Sequence, residues 1–219
     1  RWQELVASLD EADLDAPTLL QGWTRRHLIA HVAFNARALG RLADWARTGV
    51  ENPMYASQAA RDEEIAQGTE LSGRQLRRLD HETSEALAED WASLPEDRWS
   101  AQVRTRQGSM VPLRSTLWMR SREVWIHAVD LDAGLSFAEL PEEFLERLFD
   151  DVVGSLSTRD PERGYAVAVD GRTDLETSTT GGPDHVEIRG PLWAVVAWAS
   201  GRGGDGLSAG ADQPAPTWL

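Results

Sequence analysis

Glu123 and His127 stand four residues apart in a run from Arg120 to Leu131, where Val124, Ile126, Val129 and Leu131 give the character of an enclosed helix. On a helix, residues at i and i+4 share a face, with Cβ atoms roughly 5–6 Å apart. A carboxylate and an imidazole that both point into a bundle need a partner, because an unpaired buried charge is costly. A divalent metal is such a partner, and His31 can supply a third ligand. Two His and one Glu form a ligand set of catalytic zinc that leaves a fourth position open to water or substrate. Other divalent metals accept the same donors. Spacing alone leaves a plainer alternative open, a surface i,i+4 pair. It also leaves a rival set through His27, four residues before His31, although Arg25 and Arg26 favour exposure at that helix start. His81, between Asp80 and Glu82, reads as solvated, and His185 falls in the C-terminal part.

The arginines come next, because Arg is the side chain suited to bidentate recognition of a carboxylate. Arg120 and Arg122 flank Glu123, and Arg202 sits between Gly201 and Gly203. Glycines on both sides let the backbone at Arg202 approach a ligand closely. Arg120 and Arg202 are therefore the candidates for a substrate carboxylate. The alternatives are a surface ion pair for Arg120 and an exposed loop arginine for Arg202. The glycine-rich loop follows a helix and lacks the phosphate-binding pattern with its Lys. No G-x-S-x-G nucleophile motif occurs.

Composition narrows the chemistry further. The formal charge is -14, which argues against general nucleic-acid binding, since that needs a basic face. There is no Cys, so disulfides, Cys-zinc sites and a protein thiol nucleophile are excluded. There is no Lys either, because all 22 basic residues are Arg, which excludes a Schiff-base lysine and a P-loop. Thiol chemistry, if this protein performs it, uses an external thiol. No apolar run approaches the length of a membrane span and no signal peptide is visible, so a cytoplasmic protein is expected.

The elements that must position these residues follow from periodicity. Trp2, Leu5, Val6 and Leu9 predict a first helix over Trp2 to Glu11. Thr24 is placed as an N-cap ahead of a second helix running to about Arg47, with Leu28, Val32, Leu39 and Leu42 on its buried face. Tyr55 to Gln67 reads as a short helix or an ordered excursion. Leu71 to Leu94 is a third long helix, and Trp99 to Val111 a short hairpin or extended loop. A fourth long helix runs from Pro112 to Leu131. Together they suggest a four-helix bundle over residues 1–133. After a linker, Pro141 restarts the chain with an amphipathic helix, Glu142 to Leu156. The period then changes to two at Tyr165 to Val169, ending at Asp170-Gly171, a hairpin turn. Leu175 to Thr180 and His185 to Ile188 are further strands, and Leu192 to Ala199 is a short apolar helix. Residues 141–219 thus form a smaller α+β unit, and the chain as a whole is a two-domain α+β protein. The ten Trp residues read mostly as packing.

Two stretches carry a family resemblance. Gly22-Trp-Thr-Arg-Arg-His-Leu-Ile-Ala-His31-Val-Ala resembles the second-helix signature of the DinB-like metal-binding bundles. Arg122-Glu123-Val-Trp-Ile-His127-Ala-Val-Asp-Leu is similar to the fourth-helix signature of one branch, the mycothiol-dependent maleylpyruvate isomerases. Leu192-Trp193 and Gly201-Arg202 resemble parts of that branch's appended domain. The resemblance implies that His31, Glu123 and His127 are the metal ligands, with zinc the favoured ion, and that His27 has no ligand role. It implies that Arg202 faces the active site. It implies mycothiol as thiol cofactor, a small dicarboxylate substrate, and conversion of maleylpyruvate to fumarylpyruvate in gentisate breakdown; a monomer is expected. Two alternatives stand beside it: a mycothiol S-transferase acting on another electrophile, and a non-catalytic binding module stabilised by the metal.

Overall fold

The structure, a computed structural model, describes residues 1–179 and 185–218. The chain divides into two compact units, Arg1–Gly134 and Leu135–Leu219.

In the first unit the helices are α1 (Trp2–Ser8), α2 (Arg25–Thr48), α3 (Gln58–Thr69), α4 (Gly73–Ala92) and α5 (Ser115–Asp130). The central helix is α2, which packs on α3, α4 and α5. Small residues allow this: Ala30, Ala33, Ala36, Ala38, Ala43 and Ala46 are all buried on it, so neighbouring backbones come close. At Gly68 on α3 a Cβ would stand 2.6 Å from the Ala30 Cβ, so α3 lies directly on α2 only because that position is Gly. Leu39, Leu42, Leu87 and Leu113 belong to the core at one end. The second helix begins where Thr24 predicts, with a capping box between Thr24 and His27, and ends at Gly49 in the left-handed conformation.

The bundle architecture is the expected one, and two boundaries differ for local reasons. The first helix stops at Ser8, before Glu11, because the Asp10 carboxylate accepts hydrogen bonds from the Ala12 and Asp13 amides and turns the chain. The stretch after Tyr55 is a regular helix, α3. The last bundle helix begins at Ser115 rather than Pro112. A hairpin, β1 (Gln102–Arg104) with β2 (Met110–Pro112), consumes Pro112, and the Leu113 amide closes it onto the Ala101 carbonyl at 2.9 Å.

In the second unit α6 (Glu142–Gly154) and α7 (Leu156–Arg159) lead into a three-stranded sheet and α8 (Leu192–Ala199). The strands are β3 (Gly164–Val169), β4 (Arg172–Ser178) and β5 (His185–Gly190), in the order β4-β3-β5. β3 and β4 are antiparallel across the Asp170-Gly171 turn, and β5 runs parallel to β3. Thr180, the expected end of β4, lies outside the described residues. Phe144, Leu145, Leu148 and Val152 of α6 and the apolar α8 build the core of this unit.

Candidate metal centre

His31 projects from α2, and Glu123 and His127 from α5. The sequence places the two α5 residues one turn apart, and packing of α5 on α2 brings the third to them. His31 Nε2 lies 2.5 Å from Glu123 Oε1, and His127 Nε2 lies 3.4 Å from the same oxygen. One ligand atom from each of the three falls within 4.8 Å of the others. The two imidazoles meet edge to face, with ring centroids 5.1 Å apart, and the Trp23 ring stands edge-on to His31 at 5.3 Å. His31 is buried and the other two are mostly so.

The donor set fits a divalent metal: two imidazole nitrogens and a carboxylate oxygen converge, and none of the three is on a mobile loop. A further feature supports this. His127 Nδ1 is 2.8 Å from the Asp130 carboxylate, whose side chain is fully buried. A carboxylate behind a ligating His fixes the tautomer that offers Nε2 to a metal. Sequence reading gave Asp130 no role. Its signal was present, since a residue three positions after His127 shares a helix face with it.

The electrostatics are those of a tightly coupled cluster. Burial works against the Glu123 charge, but His31 and His127 overcome it and hold the carboxyl well below its usual range. Burial also opposes the charge on His127, yet its hydrogen bond to the Asp130 carboxylate and the nearby Glu123 carboxylate push it up to about 9. For His31 burial wins, and the imidazole is lowered despite Glu123. Without a metal, then, His127 carries the proton and His31 is neutral.

The other His residues have separate tasks. His27 Nδ1 takes hydrogen bonds from Thr24 at the helix start, 3.3 Å from its amide and 2.8 Å from its hydroxyl. His81 makes an exposed pair with Glu85, and His185 lies in the second unit beside Gly164.

Arg120 lies within the bundle. Its Nη1 donates to the Val32 carbonyl at 2.7 Å and to Asn35 Oδ1 at 3.0 Å, and Nη2 donates to Ser84 Oγ at 3.1 Å. These bonds knit α5 to α2 and α4, and a substrate carboxylate would have to break them. Arg202 follows α8, flanked by Gly201 and Gly203, both at positive φ. Its Nη1 donates to the Ser200 carbonyl at 2.6 Å.

One residue at the niche carried no sequence signal. Arg61 on α3 brings Nη2 to 3.2 Å from His31 Nδ1. Its place depends on how closely α3 rides on α2, which periodicity does not report.

Comparison with known proteins gives this geometry a context. The family model of the mycothiol maleylpyruvate isomerase N-terminal domain matches residues 1–132. No curated protein matches the chain. Among solved structures, a crystal structure of a mycothiol-dependent maleylpyruvate isomerase is 42% identical, with a TM-score of 0.92, covering 99% of this chain and 91% of that one. A histidine-to-alanine mutant of such an isomerase matches at 41% identity with the same TM-score of 0.92 and the same coverage, 99% and 91%. Since the family match spans the whole bundle that carries His31, Glu123 and His127, and the structural match spans nearly the whole chain, this protein belongs to the mycothiol-dependent maleylpyruvate isomerase family.

Proposed function

We propose that this protein converts maleylpyruvate to fumarylpyruvate using mycothiol, with a divalent metal held by His31, Glu123 and His127. The observation that carries the reading is the convergence of those three ligand atoms within 4.8 Å in a chain that has no Cys of its own. The donor set favours zinc. When bound, the metal keeps an incoming thiol as thiolate near neutral pH, and the thiol supplies the sulfur that adds reversibly to the activated double bond. Addition turns the double bond into a single bond with the electron pair placed in an enolate. Rotation and expulsion of the thiolate then give the trans product.

The chain's own residues do the rest. Glu123 brings the negative charge that makes a dication welcome in a mostly buried niche. Asp130 orients His127 and favours its ligating tautomer. Arg202 is our candidate for the substrate carboxylate and the enolate oxygen, on the family resemblance. The setting we propose is a cytoplasmic monomer, in a compartment that keeps small thiols reduced. No described helix is long and apolar enough to cross a membrane.

The test is an isomerase assay on maleylpyruvate, with and without mycothiol, paired with metal analysis. Activity should vanish on chelation and in His31→Ala, and return to the wild type with zinc. Full turnover without metal or without thiol overturns the proposal. Transfer of the mycothiol sulfur to another electrophile is a second reading. It is favoured by one observation, the commitment of Arg120 to internal hydrogen bonds, which leaves the expected carboxylate contacts one fewer. An Arg202→Ala variant that keeps full turnover would support it.

A further inference from the structure

The niche at His31 holds one more charged group than three metal ligands require. Arg61 has only 15% of its side chain exposed, and its Nη2 sits 3.2 Å from His31 Nδ1. A guanidinium donates hydrogen bonds and accepts none. The contact therefore makes His31 Nδ1 the acceptor and puts the imidazole proton on Nε2, which faces Glu123 Oε1 at 2.5 Å. The chain without metal is self-consistent: Arg61 donates to His31, and His31 donates to Glu123.

That arrangement excludes a metal on His31. An imidazole that gives its Nε2 lone pair to a metal carries its proton on Nδ1. Nδ1 would then be a second donor facing the Arg61 donor. Loading the metal forces Nη2 to find another acceptor. Two acids of α3 lie close to Arg61 in sequence. Glu64 gives Oε1 to Arg41 at 2.6 Å and leaves Oε2 buried without a hydrogen-bond partner, so it competes for Arg61 from one turn along the helix, while Asp62, 3.1 Å from Arg61 Nη1, is 58% exposed and holds the guanidinium weakly. Glu123 becomes a ligand. Nη2 thus loses its present acceptor in a largely buried niche, and an anion brought to the metal's open side meets a donor already in place.

On the metal reading proposed above, we infer that Arg61 is a specificity-determining residue: it holds a carboxylate of the substrate, and it becomes available for it when a metal occupies His31. The rigid seat of α3 on α2 at Gly68 keeps Arg61 at this position rather than on a loose excursion.

Maleate, a simple cis-dicarboxylate, is the probe. Its binding is measured by calorimetry to zinc-loaded and chelated wild type and to zinc-loaded Arg61→Gln and Arg61→Lys, with zinc content determined for each. Zinc-loaded wild type should bind maleate. Arg61→Gln should bind it about 10- to 100-fold more weakly at full zinc content, the scale of one charge-assisted contact. Chelated wild type should resemble Arg61→Gln, and Arg61→Lys should recover part of the loss. In kinetics, Arg61→Gln should raise KM for maleylpyruvate and leave KM for mycothiol unchanged. Equal maleate affinity in zinc-loaded wild type and Arg61→Gln overturns the inference. So does absence of maleate binding to zinc-loaded wild type. Loss of zinc in both variants overturns it as well, because Arg61 would then be a support for His31. The two readings fail separately. If wild type does not isomerise but Arg61→Gln loses maleate, only the proposed function falls. If wild type isomerises and Arg61→Gln binds maleate unchanged, only the role of Arg61 falls.

Discussion

Chelated protein should lose stability as pH rises from 6.5 to 9.5, and zinc-loaded protein should not. His127 in the metal-free fold is pushed up to about 9 by Asp130 and Glu123, from an ordinary value of 6.5. A folded-state value above the unfolded one means the native state binds the proton more tightly. The resulting stabilisation is complete below about pH 6.5 and is lost as pH rises through about 9. At about 1.4 kcal/mol for each tenfold change in proton affinity, the loss is on the order of 3 kcal/mol. For a chain of this size that is a fall in Tm of roughly 6–12 °C.

The alkaline window is unusually clean in this protein. It has no Lys and no Cys. Tyr55 is pushed up to about 12 by burial, with Arg61 pulling the other way, and Tyr165 is raised too. Neither phenol titrates below pH 9.5. Most of the ten Trp residues, from Trp2 to Trp125, lie in residues 1–134, so tryptophan fluorescence follows the unit that holds the site. Melting curves are recorded with chelator and with zinc at pH 6.5, 8 and 9.5. With zinc the trend should reverse, because the metal needs His127 without its proton. Asp130→Asn should flatten the chelated curve. A chelated Tm that is flat or rises across this window would refute the reasoning.

Asp130→Asn should also weaken zinc by about 10- to 100-fold, measured by competition with a chromophoric chelator, since it removes the carboxylate behind a ligating His. Glu123→Gln should purify with little zinc and no isomerase activity, while its fold, followed by circular dichroism, persists. Arg120→Ala should destabilise the protein by about 3–5 kcal/mol in urea, because it strands Asn35, Ser84 and the Val32 carbonyl inside the bundle. If Arg120 bound substrate instead, KM would rise with stability unchanged. Gly68→Val should cost about 2–3 kcal/mol, because its Cβ alone collides with Ala30 and Phe34.

What the sequence made legible was what one helix or one turn decides. Glu123 and His127 share a face by spacing, Thr24 caps α2, and Asp170-Gly171 turns β3 into β4. The helix ends that went astray were decided by particular hydrogen bonds, the Asp10 side chain at one and the Leu113 amide at the other. His31 could be named beside Glu123 and His127, but only packing of α5 on α2 brings it to 2.5 Å from Glu123. His27 looked like a rival because spacing does not show its bond to Thr24. Arg61 is the extreme case. Nothing near it in sequence marks it, since α3 is weakly amphipathic. Its place comes from Gly68, seven residues later, where the missing side chain lets α3 settle on Ala30 and Phe34. A glycine inside a helix costs about 1 kcal/mol against alanine. Here that cost is offset by a close approach that delivers an arginine to His31. Gly68→Val is therefore a probe of the site as well as of the fold. If it lifts α3, zinc-loaded protein should lose maleate affinity along with stability, although residue 68 touches no ligand.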